Sequence, residues 1–260
     1  MCSEGGSALG DDMTLEPPKP STADAVHQLV KAALSAVPIV GGPAAELLAA
    51  LIAPPIERRR QEWMESIGRG LADLRSRDLV ALEALADNQV FLDTVLQASQ
   101  VAIRTADVDK RAALRNAVLN AALPNPPEES LQTMFLSLID QFTPWHLRIL
   151  KLFQDPASWA AKDGARMGSV HMAGVVNVLE RSFPELVNRR TFYDQVWADL
   201  YQRGLVNTNS LHTKMTREGL ADQRTTDLGN QFLRFIEEPF APQGDGQPLA
   251  DADPVGPDID

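Results

Sequence analysis

Residues Ala32 to Ile56 read AALSAVPIVGGPAAELLAALIAPPI and hold one charge, Glu46, before the charged run Glu57-Arg58-Arg59-Arg60. A stretch this apolar must enter a membrane or lie in a core. A spanning helix needs ~20 consecutive apolar residues to cross ~30 Å of hydrocarbon. Pro38, Gly41, Gly42 and Pro43 interrupt the stretch, and Pro54-Pro55 is expected to end the helix that Pro43 opens. Each piece is then too short to span, and Glu46 would be costly in lipid. We therefore expect a soluble αα-hairpin buried under other helices, with Glu46 reaching a partner or the surface. Membrane contact through residues 32–56 would need a conformational change, with Arg58, Arg59 and Arg60 at the headgroups.

The rest of the chain favours helices. Hydrophobic residues make up 44% and aromatics only 6%, and Ala and Leu dominate, which suits helix packing better than a β-sandwich core. Apolar stripes at helical spacing begin near Thr22, Ile56, Leu79, Val90, Ala112 and Leu131. Ile56, Trp63, Ile67, Leu71 and Leu74 share one face, and Gly68 and Gly70 either weaken that helix or admit a close neighbour. Asp87 or Asn88, Asp107, Thr143 and Thr225-Thr226 stand where N-caps are expected, with Pro144 at the first helical position after Thr143. The expected order is an acidic tail over 1–21, a helical domain over 22–141, a winged-helix-like domain over 142–236 and a second acidic tail over 237–260.

The winged-helix reading rests on local order. Helices are expected over Pro144 to Phe153, Val170 to Arg181 and Asn188 to Arg203. Leu205-Val206 and Ser210 to Met215 then read as a two-stranded wing, followed by a closing helix from Asp227 to Ile236.

Charge is segregated. The formal net charge is −11, yet residues 1–24 carry −4, residues 237–260 carry −7, and the part between sums to zero. Both ends are rich in Pro, Gly and Asp and are expected to be disordered. Residues 142–236 hold twelve bases and nine acids, short of a strong nucleic-acid footprint. A DNA-binding reading would use Arg189 and Arg190 at the start of the third helix, with Lys214 and Arg217 on the wing. Asp194 and Asp199 on the same helix oppose it.

Motifs for catalysis are missing. His27, His146, His171 and His212 fall one per element, with no HExxH spacing, and read as packed or surface histidines rather than ligands. Val40-Gly41-Gly42-Pro43 lacks the Lys-Ser/Thr of a phosphate loop, and no G-x-S-x-G elbow occurs. The single cysteine, Cys2, excludes an internal disulfide. We expect no enzymatic activity, no cofactor and no metal. The first twenty residues lack the pattern of a secretory signal, so a cytoplasmic location is expected.

Finally, FLSLIDQFTPWHLRILKLF, preceded by RAALRNAVLNAAL and followed by TTDLGNQFLRFI, resembles bacterial proteins associated with abortive phage infection, the Abi-alpha group. In that group a helical domain leads through a helix, Ser/Thr-Pro, helix junction into a small terminal module with a Thr-x-x-Gly-x-x-Phe ending. Thr143-Pro144 and Thr226, Gly229 and Phe232 match, and the likeness covers residues 107–236. The resemblance implies a cytoplasmic bacterial protein in phage defence, and it brings no catalytic residues. Three functions follow as alternatives: a non-enzymatic protein acting through protein contacts, a winged-helix DNA-binding regulator, and a membrane-active effector.

Overall fold

A computed structural model of the chain describes residues 43–162 and 172–239, with the backbone alone over 43–51, 160–162, 172–173 and at 217. Helices dominate: α1 (Pro43–Ser76), α2 (Leu82–Ala86), α3 (Gln89–Arg104), α4 (Val108–Ala122), α5 (Glu129–Gln141), α6 (Pro144–Gln154) and α7 (Pro156–Lys162). Then come β1 (Met172–Gly174), α8 (Val176–Ser182), a 3-10 turn (Pro184–Leu186), α9 (Arg190–Gln202), β2 (Lys214–Thr216), α10 (Arg217–Ala221) and α11 (Asp227–Ile236). The protein is mainly α.

The caps form as their residue types require. Asn88 accepts from the Phe91 amide, Asp107 from Lys110 and Thr226 from Gly229, each satisfying an amide that a helix start leaves open.

α4 is the hub. It packs against α1, α3, α5 and α11, so small apolar residues occupy most of its circumference: Ala113, Ala117, Val118, Ala121 and Ala122 are all buried. α1 comes close at Gly70, where a Cβ would meet the Leu119 side chain at 2.7 Å. Nothing lies near Gly68, so of the two glycines only Gly70 serves the close approach. α11 covers α4 from the other side and carries Phe232 and Phe235 onto Phe135, at ring distances of 5.4 and 5.7 Å. One apolar core runs from Trp63 to Phe235, continuous across the junction between α5 and α6.

The carbonyl end of α11 is held by side chains of α4. Asn120 Nδ2 donates to the carbonyls of Phe235 at 2.9 Å and Glu237 at 2.8 Å, and Asn116 Nδ2 donates to Ile236 at 3.1 Å. These amides take carbonyls that the last turn of a helix leaves without partners.

Four expectations are corrected. Pro54-Pro55 does not end a helix, because both prolines lie inside the continuous α1. A proline pair removes two amide donors, but Ile52 to Arg58 are all exposed, where water can serve the carbonyls left over. The expected burial of this end also fails where side chains are described, since Ile52 is 42% and Ile56 39% exposed. The side chains of Glu46, Leu47, Leu48 and Leu51, and residues 22–42 of the expected hairpin, lie outside the described residues, as do His27, His171 and the acidic tails through residue 21 and from residue 240.

The helix expected over Val170 to Arg181 is shorter. Its first part within the described residues is β1, and the amides of Val175 and Val176 bond Thr213 O and Leu211 O instead of entering a helix ladder. The wing also pairs differently. Val206 bridges Thr225, while β2 pairs antiparallel with β1, Ala173 opposite Met215. Leu205, Val206 and Leu211 are buried in the core, so the connection after α9 is bound inward rather than free to form its own hairpin.

Candidate functional site

Two surfaces carry charged side chains in a definite arrangement. The first is α9 and its surroundings. Asn188, at φ +67°, turns the chain into the helix. Arg189 follows at the N-cap, its guanidinium 4.4 Å from the centre of the Phe192 ring. Arg190 Nε donates to Asp194 Oδ2 at 3.2 Å, one helical turn on. Asp194 also meets His212 Nε2 at 2.8 Å, which ties the approach to β2 against α9. Lys214 is exposed on β2, two residues beyond that contact. Arg217 opens α10, and its side chain lies outside what is described.

The structure therefore brings Arg189, Arg190 and the start of β2 to one end of α9. It also neutralises Arg190 through Asp194 and lays Arg189 on an aromatic ring. Thr191, Gln195 and Gln202 are exposed on the same helix, and the Gln195 side chain donates to Asp199 at 2.8 Å.

Two buried polar groups tie α9 to its neighbours. Tyr193 donates to Glu180 at 3.0 Å, and burial, with that carboxylate and Asp194 nearby, pushes its hydroxyl up to about 12. His146, 5% exposed, stacks on Phe142 at 4.6 Å. Its Nδ1 accepts the Thr143 amide at 3.1 Å, so the proton of the neutral ring belongs on Nε2, which faces Asp199 Oδ2 at 3.4 Å. Burial pushes His146 below the ordinary imidazole range, and Asp199 opposes that shift in part. The imidazole of His146 connects Thr143 to Asp199, but Thr143 and His146 form the capping box of α6. The arrangement caps a helix and links α6 to α9.

The second surface is a groove of about 510 Å³ between α4, α6, α7 and the end of α11. Leu147, Trp159, Leu233 and Ile236 line it with apolar surface, and Ala112 and Ala113 form its α4 wall. Ion pairs stand around the rim: Arg148 with Asp109 at 2.6 Å, Lys151 with Glu237 at 3.7 Å and Arg115 with Glu238 at 3.2 Å. Arg148 also lies 5.3 Å from the Trp145 ring centre. Sequence reasoning missed this groove, since its lining is drawn from positions 109 to 238. The one local trace is Arg148 and Lys151, three residues apart on α6.

Among the described residues, no group of three or more His, Cys, Asp or Glu is arranged to hold a metal ion. No helix there is long and apolar enough to cross a membrane. No family model, curated protein or solved structure matches the chain.

Proposed function

We propose that the chain is a non-enzymatic interaction protein of the bacterial cytoplasm, acting in phage defence by holding a protein partner in the groove between α4, α6, α7 and α11. One observation carries the reading: an apolar floor of Leu147, Trp159, Leu233 and Ile236 inside a rim of paired charges. An apolar centre with a polar rim is the anatomy of a protein-binding surface. The volume suits one or two apolar side chains of a partner segment. The defence role draws on the resemblance over residues 107–236. The test is phage plating on cells with and without the chain. Reduced plating is expected, and equal plating across a panel of phages would remove the defence role.

A second reading is a winged-helix DNA-binding regulator. It is favoured by the order helix, helix, strand, helix, helix, strand through α6, α7, β1, α8, α9 and β2. Thr191, Gln195 and Gln202 would face base edges, with Arg189, Arg190 and Lys214 at phosphates. Because Arg190 is paired with Asp194, this reading predicts weak binding with a shallow salt dependence. A gel shift with random-sequence duplex at low salt decides: no retardation removes it.

A further inference from the structure

The apolar stripe of α1 does not stop where its cover stops. At 100° per residue, Ile52, Ile56, Trp63, Ile67 and Leu74 fall within about 60° of one another around the helix. Trp63, Ile67 and Leu74 are buried at 4%, 3% and 0% exposure, whereas Ile52 and Ile56 are exposed. The same face therefore extends about three turns past its last packed residue. Toward the N-terminus the sequence prolongs the stripe with Leu48 and Ala45.

We propose that this uncovered end is the docking site for the chain's own residues 22–37, folded back antiparallel through Pro38–Gly42. Three features of the sequence fit this occupant. Val26, Leu29, Val30, Ala33, Leu34 and Val37 form an apolar stripe of helical period. The connection is short and contains the Gly41-Gly42 pair, which suits an αα-hairpin turn. The lengths also match: Pro43 to Ile56 spans about 20 Å at 1.5 Å per residue, the rise that Val37 back to Asp24 would cover. Pairing about Val40 and Gly41 sets Leu29 opposite Ile52, Ala33 opposite Leu48, and Ala25 and Val26 beside Ile56.

A second copy of the chain or a lipid surface would meet the same stripe. A segment joined by five residues, however, has an effective concentration in the mM range, above that of a separate molecule at ordinary protein levels. Glu46, within the stretch, also disfavours lipid.

The test uses the full chain and hydrogen exchange. Amides of residues 24–36 should exchange at least about tenfold more slowly than an unstructured chain. The double variant Ile52→Glu, Ile56→Glu should lose that protection while α3, α4 and α11 keep theirs. Free exchange over 24–36 in the unaltered chain would overturn the proposal. So would protection that survives both glutamates, or that arises only with anionic vesicles. As a second readout, Leu29→Cys with Ile52→Cys in a Cys2→Ser background should oxidise to an intramolecular disulfide. A disulfide-linked dimer as the main product would instead assign the surface to a second copy.

Discussion

The groove and the exposed side of α9 both carry arginines, but they use them differently. Around the groove, Arg148, Lys151 and Arg115 are each paired with a carboxylate from another element, so the charges form a ring and leave apolar surface between them. On α9, Arg190 is paired within its own helix and Arg189 lies over Phe192, so polar groups occupy the surface itself. Binding energy comes mainly from desolvated apolar centres, with rim charges setting specificity. The comparison therefore favours the groove as the site of a partner. Which arginines are present says less than what their carboxylates leave uncovered.

Changes that unseat α11, one side of the groove, should have the largest effect. Gly229 in α11 lies so close to the Leu205 carbonyl that a Cβ would overlap it. Gly229→Val should lower stability by about 3 kcal/mol, near the upper end for overpacking, measured by urea unfolding. A loss under about 0.5 kcal/mol, the level of an ordinary surface substitution, would mean that α11 moves freely against the segment after α9. Next comes Asn120→Ala, which strips donors from the carbonyl end of α11. About 1 kcal/mol is expected, since these acceptors are only partly buried and water can replace the lost donors in part.

The link between the two surfaces is sensitive to acid. Burial holds His146 below the ordinary imidazole value of about 6.5 in the folded chain, so the unfolded chain binds its proton more readily. The stabilising contribution is present above pH 6.5 and is lost as pH falls through the lowered folded value. His146→Gln, which keeps a capping side chain, should flatten this part of the stability profile below pH 6.5. An unchanged profile would assign the acid sensitivity to other groups. The smallest effect belongs to the α9 surface. Arg190 has a side chain 70% exposed, and Arg190→Ala should change stability by less than about 0.5 kcal/mol, as exposed pairs do.

Much of the helical order was legible in the sequence because capping is local. Thr143-Pro144 and Thr226 mark the starts of α6 and α11, and Asn88 and Asp107 those of α3 and α4. Pairing was not legible, because β1 and β2 meet across about forty residues and their amides are chosen by tertiary contact. Pro54-Pro55 misled for a related reason: breaking a helix is a local tendency that an exposed, water-served segment can override. His146 has no carboxylate at a ligand interval, and its partner Asp199 lies 53 positions on. The groove needs α4, α6, α7 and α11 together, so no single window of sequence contains it.

The most direct measurement is phage plating on cells carrying the unaltered chain, Ala112→Trp or Arg190→Ala, all at equal soluble level. Ala112 is exposed on the groove wall, so a tryptophan there fills the groove without entering the core. Protection should fall at least about tenfold with Ala112→Trp, the equivalent of about 1.4 kcal/mol of partner binding, and should be unchanged with Arg190→Ala. Full protection by Ala112→Trp together with its loss in Arg190→Ala would contradict the account and move the site to α9.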